Sequence, residues 1–204
     1  MALGNWIVSS CVPEVDESRL AGEAPADYVL RLAQDKARFA MSDAADGTLV
    51  VAADTAVVDG ESVLGKPVDD ADAVRMLRRL RGRVHQVYTG IAVLKAGTDR
   101  AQTDVCVTDV PMRNYSDAEI EAYVASDDPM DKAGGYGIQH AGFHPVETMT
   151  GCFASVMGMP LCHLLHLLDR IQAPSQPELP GLCQAHLRYP CPVSSAILRG
   201  EPVG

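Results

Sequence analysis

Two carboxylates, three lysines and one glycine-rich loop are the residues of this chain whose types and spacing could do chemistry together. Asp54 follows the nearly continuous apolar run VVAA, so it stands where a buried strand emerges, the usual place for a working residue in an α/β sheet. An aspartate that caps a turn fits the same position. Glu14, Asp16 and Glu17 form an acidic run after the segment WIVSSCV. Most such runs are solvated loop, yet carboxylates at the ends of two adjacent strands can share a magnesium ion. Lys36 lies in PADYVLRLAQDKARFA on the stripe of Val29, Ala33 and Ala40, where spacings of three and four put a cation on an apolar helix face or let its stem snorkel past it.

The stretch DKAGGYGIQ, residues 131–139, packs three glycines and two charges into nine residues. Gly134, Gly135 and Gly137 could present bare N–H groups to an anion while Lys132 supplies a cation; an ordinary tight turn has the same composition. Taken together these features describe a site for phosphate chemistry. Glu17 and Asp54 would hold a hard divalent cation, Lys36, Lys66 and Lys132 would neutralise phosphate oxygens, and glycine N–H groups would shape the pocket.

The elements that must position these residues read as a mixed α/β domain. WIVSSCV is expected as a strand leading into PEVDES, and Pro25 to about Met41 as a helix with proline in its first turn. LVVAA is a short strand ending at Asp54 and Thr55, continuing as AVV to the Asp59–Gly60 turn and LGKP. DDADAVRMLRRLRG is a helix with acidic residues at its start and Gly82 at its stop. VHQVYTGIAVL and TDVCVTDV are paired strands, Ser116 and Glu119 form a capping box opening a helix through Val124, and PLCHLLHLLDRI is a last helix. From Ala173 the chain turns rich in proline and polar residues, so residues 1–172 read as the domain and 173–204 as a loosely held tail.

Composition bounds the partners. The chain has 204 residues, 47% of them hydrophobic, enough for a core. A net charge of −10 argues against a broad basic face for nucleic acid, so a polyanionic ligand must meet local cations or metal. No apolar run approaches the ~20 residues of a membrane span, and the start MALGNWIVSS lacks the charged and long apolar regions of a signal peptide. Cytoplasm is the expected location. The six cysteines form no CxxC pair and read as small buried residues in a reducing compartment. Cys162, His163 and His166 with Cys183, His186 and Cys191 match no standard zinc spacing, and the helix positions continue a leucine-rich face.

Seven motifs stand in one order: VDE (15–17), DKA (35–37), ADT (53–55), LGKP (64–67), YTG (88–90), DKAGGYGIQ (131–139) and SVMGMPL (155–161). From about residue 7 to 170 the chain resembles the Maf family of nucleoside triphosphate pyrophosphatases, also called septum formation proteins. The resemblance implies an inosine triphosphatase-like α/β fold and cleavage between the α and β phosphates, giving a monophosphate and pyrophosphate with Mg2+ or Mn2+. It implies Asp54 as the proton acceptor for the attacking water, Glu17 as a metal-site residue, and Lys36, Lys66 and Lys132 as phosphate contacts. Thr55 and Gln139 are implied in the choice of base. ADT with YGIQ resembles the branch acting on dTTP and UTP, since the branch preferring methylated GTP carries SDQ. A homodimer is implied by the resemblance alone.

One departure stands out. Family members begin with a strand and loop like LASxSPRR, whose serine and arginines grip the triphosphate, and a helix ending near LGNW. This sequence starts at MALGNW, so the family's first strand, loop and helix have no counterpart in it. That predicts an exposed sheet edge and fewer cations in the site. Two readings follow: an active pyrophosphatase whose start is assigned too late, or a catalytically impaired nucleotide-binding member with a regulatory role in cell division.

Overall fold

The computed structural model describes residues 6–42, 44–45, 47–98, 100–201 and 203. The first five residues of the start, and so the beginning of the 1–172 domain, lie outside the described residues. Helix α1 (Pro25–Met41) leads to strand β1 (Leu49–Asp59), the short β2 (Ser62–Leu64), α2 (Asp70–Leu80), and the long strands β3 (Val84–Lys95) and β4 (Gln102–Pro111). Helix α3 (Asp117–Val124), two single turns of 3-10 helix at Asp128–Asp131 and Ala133–Gly135, α4 (Phe153–Val156) and α5 (Leu161–Arg170) follow. The four strands form one antiparallel sheet in the order β2-β1-β3-β4.

Local chemistry explains the boundaries. Asp69 caps α2, accepting from the Asp72 N–H at 2.7 Å, and Ser116 with Glu119 closes the expected capping box of α3; each cap is worth about 1 kcal/mol. Each face of the sheet is covered. Ala33 and Ala37 of α1 pack on Val50, Ala92 and Leu94, whereas Leu164, Leu167 and Leu168 of α5 pack on Ile91 and Val93. The close approach of α1 depends on Gly90. A Cβ there would lie 2.5 Å from the Val29 carbonyl oxygen, so only glycine admits the helix at this distance.

Three expectations are corrected. WIVSSCV is not a strand but chain without regular structure, with Ile7, Val8 and Val12 fully or largely exposed. Its β-favouring residues find no ladder, and strand propensity without a neighbour is weak. β1 does not end at Asp54 but runs on through it to Asp59, because Asp54 and Thr55 keep their register with Gly90 and Thr89 of β3. PLCHLLHLLDRI, which is α5, is not the last helix: α6 (Leu179–Leu187) and α7 (Ser194–Leu198) follow it and bury Leu179, Cys183 and Ile197. Proline at the start of α6 is a helix-compatible placement rather than a linker signal. No helix among the described residues is long and apolar enough to cross a membrane.

Candidate active site

Only Val57–Asp59 of β1 pair with β2, so among the described residues the earlier part of β1 has a partner on one side alone. Along that open edge lies a cleft of about 600 Å³. Glu17, Lys36, Asp54, Thr55, Lys66, Lys132 and Gln139 all line it, as does Gly137, whereas Glu14, Asp16, Gly134 and Gly135 do not. Alternation along β1 sends Asp54 to the α1 face and Thr55 to the opposite face, and the cleft wraps around the strand between them.

On the α1 face Lys36 Nζ donates to Asp54 Oδ1 at 2.6 Å and lies 2.7 Å from Glu17 Oε1. Lys36 is therefore held by carboxylates. Two of its three N–H donors serve them and one is left for a phosphate oxygen. Asp54 is 10% exposed and Glu17 53%. Burial raises the Asp54 carboxyl above its ordinary value, against the opposing pull of Lys36. The hydrogen bond from Lys36 holds Glu17 below the usual range. For Lys36, burial works to lower its pKa but the bonds to Asp54 and Glu17 outweigh it, and the net shift is upward. Two neighbouring acids are thus pushed apart, one toward basicity and one toward a permanent charge.

The acidic loop is pinned to α1. Tyr28 Oη donates to the Glu17 carbonyl at 2.8 Å, Arg31 donates to the Ser18 carbonyl at 3.0 Å, and Arg31 pairs with Glu23 at 2.7 Å. Tyr28 was not foreseen as a site residue, although its position two helical turns before Lys36 puts both on one face. Asp54 Oδ2 and Glu17 Oε2 take no hydrogen bond among the described residues. Two carboxylates with one free oxygen each suit a magnesium-type ion completed by substrate phosphates. Among the described residues no group of three or more His, Cys, Asp or Glu is disposed to hold a metal.

The glycine-rich wall behaves otherwise than as a nest of bare N–H groups. Gly134 N–H donates to the Gly65 carbonyl at 2.9 Å, Gly135 N–H to the Lys132 carbonyl at 3.0 Å, and Gly137 N–H to Tyr123 Oη at 2.8 Å. Gly134 and Gly135 have φ of 70° and 71°, and a Cβ on Gly134 would strike Val57 at 2.9 Å. These glycines shape the loop and let it close on β1. Lys132 is held by Asp131 at 2.6 Å and by the Asp128 carbonyl at 2.7 Å. Lys66 is exposed and makes no hydrogen bond or ion pair among the described residues, so it is free to meet an anion. Gln139 is exposed, its amide open to a ligand.

A cleft with a raised carboxylate, a second acid and three lysines, lined also by the apolar Ile138, Val156 and Met157, suits a ligand with an anionic and an apolar part, on the sheet of an α/β protein. The family model for Maf-like proteins matches residues 2–171, and the chain belongs to the Maf family. It is 46% identical over 163 residues to a dTTP/UTP pyrophosphatase of Geobacter sulfurreducens, covering 80% of this chain and 85% of that protein. It is likewise 46% identical to proteins of the same description from Shewanella sp. over 163 residues (79% and 83% covered) and from Anaeromyxobacter dehalogenans over 169 residues (82% and 84% covered).

Proposed function

We propose that this protein is a nucleoside triphosphate pyrophosphatase that hydrolyses dTTP and UTP to the monophosphate and pyrophosphate. The observation that carries the reading is Asp54: a buried carboxylate raised in basicity, with one oxygen fixed by Lys36 and the other open to the cleft. The names of the relatives supply the substrate class. In this mechanism Asp54 Oδ2 takes the proton of a water as its oxygen bonds to the α-phosphorus, and the bond from that phosphorus to the bridging oxygen breaks, releasing pyrophosphate. Glu17, through its free oxygen and next to Asp54, would hold a divalent cation, magnesium or manganese, which when bound neutralises phosphate oxygens. Lys66 and the third N–H of Lys36 bind the triphosphate, with Lys132 at the far wall. Thr55 and Gln139 meet the base.

Six free thiols support a cytoplasmic location. The test is pyrophosphate release from dTTP, UTP and methylated GTP with magnesium or manganese. Release from dTTP and UTP is expected; binding of UTP with no product would favour the regulatory, non-catalytic reading.

A further inference from the structure

Thr55 is flanked by a buried pair of groups that the chemistry so far leaves unused. Its Oγ1 lies 2.9 Å from Oγ1 of Thr89, the residue opposite it on β3, and Thr89 is fully buried. Thr89 Oγ1 in turn lies 2.9 Å from the carbonyl oxygen of Ser155 in α4. A carbonyl oxygen only accepts, and two oxygens at that separation repel unless a proton lies between them. Thr89 has one hydroxyl proton, so it is spent on Ser155. Its oxygen must then accept from Thr55, whose own single proton is thereby turned away from any ligand. In front of Thr55 stands Gly158, with φ of 98° and a would-be Cβ 3.6 Å from the Thr55 oxygen; glycine here keeps the approach to the hydroxyl open. Thr55 and Gly158 both line the cleft.

We propose that Thr89 is a positioning residue that fixes the polarity of Thr55, so that Thr55 faces the base as a hydrogen-bond acceptor only. Such a wall accepts the ring N–H of uracil and thymine and rejects cytosine, whose corresponding ring nitrogen bears a lone pair. The inference rests on the nucleotide reading above and deepens it by naming how a pyrimidine is told from its amino counterpart.

The probes are UTP and CTP, and the readout is the ratio of their kcat/KM values, with a melting curve for each variant. Thr89→Val keeps the shape and removes the hydroxyl, which frees the Thr55 proton to serve as a donor. The UTP:CTP ratio should fall about 10-fold, chiefly through KM for CTP. Thr89→Ser restores the hydroxyl and should hold the ratio within about 2-fold of wild type. In a Thr55→Val background, Thr89→Val should move the ratio no further. An unchanged ratio in Thr89→Val overturns the proposal, and so does a Thr89→Ser variant that behaves like Thr89→Val. Should the valine variant fail to fold, wild type decides, because equal use of UTP and CTP is incompatible with an acceptor-only wall. If wild type hydrolyses no triphosphate, the pyrophosphatase reading fails. The relay is then judged by calorimetric binding of UMP against CMP in the same variants, with the same expectations.

Discussion

Strand β1 carries two well-buried aspartates five positions apart, and their surroundings differ in kind. Asp59 is 7% exposed and is saturated by arginine: Arg79 donates to Oδ2 at 2.7 Å and to the carbonyl at 3.2 Å, and Arg83 donates to Oδ1 at 3.0 Å. Asp54 meets a single lysine, shared with Glu17, and keeps one oxygen uncommitted. The two guanidiniums between them engage both oxygens of the Asp59 carboxylate with charge-assisted hydrogen bonds and hold it in place. An ammonium is a point charge that steadies one oxygen and leaves the other free to take a proton or a metal. On one strand, then, the same residue type is a fastener where it is fully paired and, in the mechanism we propose, a reagent where it is half paired.

The largest effect expected from breaking this contrast is at Asp54. Asp54→Asn keeps the shape and loses the basicity, so turnover should fall roughly 100-fold or more. Stability should not fall with it. The Asp54 carboxyl is raised in the fold, so the folded state holds its proton more tightly than the unfolded chain. Its contribution to stability therefore declines as pH rises from the ordinary carboxylate value through the folded one. At neutral pH the substitution removes that cost, and the melting temperature should hold or rise.

Next comes the platform that brings Lys36 to β1. Gly90→Ala places a methyl group 2.5 Å from the Val29 carbonyl oxygen, which should push α1 off the sheet, cost about 1–3 kcal/mol by urea titration and reduce turnover by loosening the Lys36–Asp54 contact. Asp59→Asn should cost about 2 kcal/mol by leaving two guanidiniums without their anion, while turnover per folded molecule stays near wild type. A subtler change sharpens the comparison without removing either aspartate. Lys36 lowers the Asp54 pKa, so Lys36→Met should move the acid limb of the kcat/KM profile to higher pH, with activity lost more at pH 6 than at pH 8. A limb that stays put would mean that Asp54 is not the group titrating.

How much of this was legible in the sequence depended on whether the signal was local. The capping box at Ser116, the proline at the head of α1 and the strand runs of β3 and β4 are decided by neighbours in the chain, and they appear in the fold as expected. The cluster of Glu17, Lys36, Asp54, Thr55, Lys66, Lys132 and Gln139 was recognisable as residue types and motifs, but the chain could not reveal its polarity. That Lys36 would be spent on carboxylates, that the glycine N–H groups would bond to Gly65, Lys132 and Tyr123, and that Thr89 would stand behind Thr55 are all matters of strand register and loop closure. WIVSSCV failed for a related reason: its composition suits a strand, but a strand needs a partner, and partners are set far away in the chain. The burial of Leu179 and Ile197 after a proline-rich stretch was hidden by a composition that reads as linker.

The smallest expected effect is at the far wall. Gln139 is exposed and its amide open, so Gln139→Leu should lower the preference for UTP over a purine triphosphate by about 5-fold and leave pyrophosphate release itself largely intact.

The central claim, that a half-paired aspartate on β1 is the reagent while its saturated neighbour is only structural, is tested most directly by pyrophosphate release from UTP with magnesium in Asp54→Asn and Asp59→Asn, at equal concentrations of folded protein. Turnover in Asp54→Asn roughly 100-fold or more below that in Asp59→Asn is the result predicted. Equal turnover in the two variants, or an Asp54→Asn protein that releases pyrophosphate at the wild-type rate, would contradict it.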